Sequence, residues 1–126
     1  MNDRDEKLIG QVEGELINWA NGKPAVLNVW IYGSRTCGRA RDNSDLDIGI
    51  ELDKSARPEV WDGLPESWRR ETEALACEIR PLIQQILGVI PPHVRFVYSD
   101  THEPDFRGYV AKGRRIFWRH QNSRVE

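Results

Sequence analysis

The sequence has 126 residues, a length that predicts one domain, residues 1–126, with a core of ordinary size. Its 20 acidic and 18 basic side chains nearly cancel, so overall charge gives no strong signal for a nucleic-acid or membrane partner. Two cysteines lie far apart and no apolar run is long enough to span a bilayer, so we expect a cytoplasmic protein.

The first predicted element is an amphipathic helix over residues 4–20, in which apolar side chains recur every three or four positions. Asn21 and Gly22 are residue types that tolerate the left-handed conformation that closes a helix, and Pro24 cannot continue one. Residues 25–32 are rich in β-branched and aromatic side chains. They predict a central strand.

A Gly-Ser turn follows this strand. Gly33 lets the backbone approach a ligand closely, while backbone amides and the Ser34 hydroxyl are donors suited to phosphate oxygens. Turns of this composition are also common in loops without a function, so the dipeptide alone is a weak signal.

Two carboxylates open the next strand. Strand alternation places Asp45 and Asp47 on one face and Leu46 on the other, and Gly49 is expected to leave room on the acidic face. Neighbouring like charges repel unless a divalent cation neutralises them, and oxygen ligands of this kind suit Mg²⁺. The alternative is an ordinary polar turn over residues 42–45 with Asp47 facing solvent.

Gly33-Ser34, ten residues and Asp45-Leu46-Asp47 together resemble the core motif of the DNA polymerase β-like nucleotidyltransferase superfamily. The short chain resembles its minimal nucleotidyltransferase (MNT) branch. The resemblance implies that Gly33 and Ser34 hold ATP or another nucleoside triphosphate. It also implies that Asp45 and Asp47 are catalytic and bind Mg²⁺ or Mn²⁺. Arg35 or Arg39 is a further candidate for phosphate contact.

The resemblance also implies a partner, because MNT proteins often act as antitoxins that modify and neutralise a HEPN ribonuclease toxin. We therefore expect a partner protein as acceptor, in a homo- or hetero-oligomer. One alternative is an inactive nucleotidyltransferase fold that acts as a binding module or antitoxin by contact. Another is transfer to a small molecule, which normally needs an added helical domain that this chain lacks.

A second long helix is predicted from Pro65 to Gly88, with Pro81 expected to kink or divide it and Cys77 expected in the core. Residues 93–98 predict the third strand. The family's third metal-binding carboxylate normally lies in this strand, and Arg95 is expected at the corresponding place. Asp100, at the strand's end, is the nearest carboxylate.

An arginine at that place favours a weakened enzyme or a binding-only protein, because it pairs with an aspartate or contacts the triphosphate directly. The three histidines lack metal-ligand spacing and are assigned no role; they are His93, His102 and His120.

The last elements are a helix over residues 104–112 and a short strand over residues 116–118. The arginines around that strand are expected to form a solvated surface. The predicted fold is α/β (α+β), in the order α-β-α-β-α-β-α-β, with a mixed sheet of about four strands. Helices are expected on one face of the sheet, and Asp45 and Asp47 on the open face.

Overall fold

The computed structural model describes residues 3–36, 44–56, 65–99 and 104–119, with side chains described from residue 72 onward in the third range. The helices are α1 (Asp3–Asn21), α2 (Pro65–Leu87) and α3 (Pro104–Ala111). The strands are β1 (Val26–Tyr32), β2 (Leu46–Leu52), β3 (Pro92–Tyr98) and β4 (Arg114–Trp118). Single 3-10 turns follow β1 at Ser34–Thr36 and β2 at Lys54–Ala56. The predicted fold class is confirmed.

The four strands form one mixed sheet in the order β3-β2-β1-β4. The first strand pairs antiparallel with both β2 and β4, whereas β2 and β3 are parallel and are connected through α2. These directions bring the end of β1 to the same edge of the sheet as the starts of β2 and β3. That edge carries the predicted motif.

The main core lies between one face of the sheet and the helices α1 and α2. Alternate residues of β2 face this core and are almost fully buried, as strand periodicity predicts. Both helices present an apolar stripe to the same face. Its central members are Ile9, Val12 and Leu16 of α1, Ile79 and Ile83 of α2, and Ile48 and Ile50 of β2.

Helix α3 packs on the opposite face of the sheet. Its Phe106 and Val110 form a second apolar cluster with Tyr32 and Val97. A Cβ atom added at Gly49 would lie 2.9 Å from Val110 Cγ1, so α3 fills the room expected there. The prediction that the helices lie on one face of the sheet is thus correct for α1 and α2 and wrong for α3. Helix α3 covers part of the face that carries the aspartates. A further helix was expected between β1 and β2. The described part of that connection contains a single 3-10 turn instead.

The structure differs from the expectations for α2 at two residues. The helix continues through Pro81 and is not divided there, because Ile79 and Ile83 on either side of it are buried in the same core and hold both halves in place. Cys77 is exposed rather than buried, because Ala76 and Ile79 take the inward positions of that turn. No helix among the described residues is both long and apolar enough to cross a membrane.

Candidate functional site at the sheet edge

Two carboxylates and an imidazole meet at the edge of the sheet. One ligand atom from each of Asp45, Asp47 and His93 lies within 4.8 Å of the other two. Asp47 is half-buried, whereas Asp45 and His93 are exposed. His93 Nδ1 lies 3.0 Å from Asp47 Oδ1, a hydrogen-bonding distance. The structure therefore brings together the two predicted aspartates and a histidine to which the sequence assigned no role.

Gly33 lies directly against Asp47. Its φ of 92° is in the left-handed region that favours glycine, and an added Cβ would overlap Asp47 Oδ2. Thr36 fixes the turn, because its backbone N–H and its hydroxyl both donate to the Gly33 carbonyl, at 3.1 and 2.7 Å. Ser34 begins the 3-10 turn beside it. The Gly-Ser turn and the aspartates thus belong to one site.

Arg35 connects this turn to two other parts of the molecule. Its Nη1 lies 2.8 Å from Asp5 Oδ1 in α1, and both residues are only 5% exposed. Its Nε donates to the carbonyl of Ser44, the residue before Asp45, at 3.0 Å. These contacts connect the Gly-Ser turn to α1 and to the residue that precedes Asp45. Arg39 lies outside the described residues.

The residue of β3 that faces the aspartates is His93, and the expectation for Arg95 is wrong in this respect. In the parallel register of β2 and β3, His93 lies opposite Asp47 and Arg95 lies opposite Gly49. The Arg95 guanidinium is 5.4 Å from the ring centre of Phe106 in α3. Register between parallel strands depends on their packing, so the sequence of β3 alone could not identify His93.

The arginines around β4, which were expected to form a solvated surface, are in part hydrogen-bonded within the protein, since Arg119 donates to the carbonyls of Lys23 and Val26. Asp100 lies outside the described residues.

The pKa of Tyr32 reflects burial and the charges on this face of the sheet. Burial raises the pKa of its phenol, the negative charge of Asp47 raises it further, and the positive charge of Arg95 lowers it. Glu51 lies on the same face, where Asn28 Nδ2 donates to it at 2.7 Å and Arg107 lies 3.1 Å away. The charge of Glu51 is thus compensated locally, while Asp45 and Asp47 face the sheet edge.

The donor set fits a divalent cation. Two carboxylates supply hard oxygen ligands, and Asp47 can take its position against the turn because Gly33 has no side chain. The third donor is nitrogen rather than the third oxygen expected from the family. Asp45, Asp47 and His93 are the described residues that would hold such an ion.

Several solved structures are similar to this chain. A toxin-antitoxin crystallised with AMP-PNP is 18% identical, has a TM-score of 0.50, and is matched over 90% of this chain and 78% of that chain. A mutant of the toxin-antitoxin MntA-HpeT is 14% identical, with a TM-score of 0.47 and coverage of 90% and 78%. A protein from Sulfolobus solfataricus with a provisional nucleotidyltransferase assignment is 16% identical, with a TM-score of 0.48 and coverage of 96% and 93%.

No curated protein matches the sequence significantly. The family model described as Polymerase beta, Nucleotidyltransferase matches residues 14–122, a span that contains the Gly-Ser turn, both aspartates and His93. The chain therefore belongs to the polymerase β nucleotidyltransferase family, as the motif predicted.

Proposed function

We propose that this protein transfers a nucleoside monophosphate from ATP or another nucleoside triphosphate to an acceptor on a partner protein. The observation that carries the proposal is the convergence of Asp45, Asp47 and Gly33 at one sheet edge, where the absence of a side chain at Gly33 lets the turn lie directly against the second carboxylate. Family membership supports the same reaction class.

Each residue has a proposed task. Asp45 and Asp47 hold Mg²⁺ or Mn²⁺, which when bound neutralises phosphate charge and aligns the triphosphate. Gly33 and Ser34 place backbone amides and a hydroxyl beside that phosphate chain. Arg39 is a proposed phosphate contact, whereas the pair that Arg35 makes with Asp5 supports a positioning role for Arg35.

The proposed acceptor is a HEPN-type toxin, for which this protein is the antitoxin. The likeness to a toxin-antitoxin supports a protein partner.

The test is transfer of label from ATP labelled at the α-phosphate to a purified HEPN-type protein in the presence of Mg²⁺. We expect Asp45→Asn and Asp47→Asn each to lower labelling by at least about 100-fold, since each removes a carboxylate from the cation site. Glu73→Gln is the matched control, because it removes a carboxylate from α2 on the opposite side of the sheet. Labelling that survives both Asp→Asn changes would contradict the catalytic proposal.

A second candidate function is neutralisation of the partner by contact alone. It is favoured by the register of β3, which puts His93 rather than a carboxylate beside Asp47, because a carboxylate is the group suited to take the proton from the attacking hydroxyl. A wild-type protein that binds the partner and transfers no label would support this candidate. Labelling of the partner by the wild type excludes it.

A further inference from the structure

We propose that His93 is a direct ligand of the bound cation and that it shifts the preference of the site from Mg²⁺ toward transition metals such as Mn²⁺. This inference rests on the proposed function, because it concerns the metal site on which that function depends. It goes further by assigning a selectivity that three carboxylates would not give.

The geometry of the three donors supports coordination. Metal–ligand bonds of about 2.1 Å place neighbouring octahedral ligands about 3.0 Å apart and opposite ligands about 4.2 Å apart. His93 Nδ1 and Asp47 Oδ1 are 3.0 Å apart, and the third donor atom, from Asp45, lies within 4.8 Å of both. The separations therefore suit one shared ion without a large movement of the backbone.

The strand register makes this placement specific. His93 and Asp47 are paired neighbours on parallel strands, so their side chains leave the same face at the same level of the sheet. The His93 side chain is 58% exposed, which leaves its ring accessible to an incoming ion. The next residue on that face, Arg95, lies opposite Gly49 and contacts Phe106 of α3. His93 is therefore the position of β3 that faces the aspartates.

The chemistry of the donors gives the selectivity. Mg²⁺ takes oxygen ligands in a strict octahedron, whereas imidazole nitrogen binds first-row transition metals well. Replacing one of three carboxylates by imidazole also removes one negative charge, which weakens the attraction for a hard cation most. A site with two aspartates and one histidine is thus expected to favour Mn²⁺ over Mg²⁺.

The same 3.0 Å contact also fits a simpler role, in which His93 only donates a hydrogen bond that orients Asp47. The two roles differ in one observable. A coordinating imidazole places its nitrogen in direct contact with the metal, whereas an orienting imidazole does not.

The experiment titrates Mn²⁺ alone into protein that carries no histidine tag, monitored by electron paramagnetic resonance with detection of nitrogen coupling. Binding of Mg²⁺ is measured by competition. We expect nitrogen coupling in the wild type and its loss in His93→Asp. The ratio of Mn²⁺ to Mg²⁺ affinity should fall by about tenfold or more in that variant, because a third carboxylate replaces the imidazole.

Asn21→Asp is the matched control, since it adds a carboxylate at an exposed position before β1, at the opposite end of that strand from Gly33. It should preserve both the coupling and the affinity ratio. Bound Mn²⁺ without nitrogen coupling, or an affinity ratio that His93→Asp leaves unchanged, overturns the role of His93 and leaves the proposed transfer reaction standing. Failure of the wild type to bind Mn²⁺ more tightly than Asp47→Asn would overturn the metal site and the proposed function together.

Discussion

Among single residues, Gly33 is the one whose lack of a side chain matters most for the site. Its positive φ and its contact with Asp47 exclude any side chain without movement of the turn or of the carboxylate. The sequence pattern indicated a glycine for close approach to a ligand. The structure adds that the group being approached is the second aspartate of the motif.

We expect Gly33→Ala to weaken Mn²⁺ binding by at least about tenfold, because the new methyl group displaces Asp47 and strains the turn. Metal titration checks this. Gly14→Ala in α1 is the control, since an added Cβ meets no atom there and a helix interior favours alanine by about 0.5–1 kcal/mol. Equal affinity in Gly33→Ala and wild type would show that the turn does not define the site.

Tyr32 should make the stability of the fold sensitive to alkaline pH. Burial and Asp47 raise the pKa of its phenol, so the folded state binds this proton more tightly than the unfolded state. Its contribution is present below pH 10.0, the ordinary value, and is lost as the pH rises through the higher folded value. Denaturant unfolding between pH 9 and pH 11 should therefore show a shallower loss of stability in Tyr32→Phe.

Tyr109→Phe is the companion control, because that side chain is 59% exposed on α3. It is expected to keep the wild-type pH profile. A profile that Tyr32→Phe leaves equally steep would mean that another group controls the alkaline transition.

At the scale of elements, the buried pair of Arg35 and Asp5 fastens the Gly-Ser turn to the first turn of α1. Arg35→Met removes one partner and leaves the Asp5 carboxylate buried without it, which typically costs about 3–5 kcal/mol. The free energy of unfolding measures this loss. Arg80→Met breaks the exposed pair with Glu73 and should change stability by no more than about 1 kcal/mol. Similar losses in both variants would contradict the structural importance of the buried pair.

The continuous helix α2 gives a second prediction at this scale. Pro81 lies inside the helix and is exposed, so its ring gains nothing from the core and removes a helical N–H. Pro81→Ala should raise the free energy of unfolding by about 1–3 kcal/mol in chemical denaturation. Pro65→Ala, at the first residue of the same helix, should be nearly neutral because no N–H bond is needed there. A decrease in stability for Pro81→Ala would show that the proline is required where it lies.

At the scale of the whole molecule, the site exists only when the fold is complete. Gly33 follows β1, the aspartates open β2, and His93 belongs to β3, which is separated from β2 by α2. A cation held by this group therefore binds the folded protein and not the unfolded chain.

Mn²⁺ should consequently stabilise the folded state, by about 2.7 kcal/mol at a concentration 100 times its dissociation constant. Thermal unfolding with and without the metal measures the effect, and removal of the metal with a chelator should reverse it. Asp47→Asn should show little stabilisation at the same metal concentration. An equal shift in wild type and variant would locate the bound metal elsewhere.

Local patterns in the sequence determined most of the fold. The period of apolar residues placed α1 and α2 and their buried faces, and the run of β-branched residues followed by Gly33 placed the end of β1. The spacing from Gly33-Ser34 to Asp45 and Asp47 gave the family, because that signal lies within one contiguous stretch of chain.

Only the tertiary structure decided which residues meet across the sheet. The register between β2 and β3 put His93 rather than Arg95 beside Asp47, and the packing of α3 closed the space at Gly49. The packing of α1 brought Asp5 to Arg35, some thirty positions away in the sequence. A residue's neighbours along the chain determine its local conformation. Strand register and helix packing, in contrast, are set by contacts between distant segments. Those contacts bring His93 to the Gly-Ser turn and the two aspartates, which lie within one stretch of sequence.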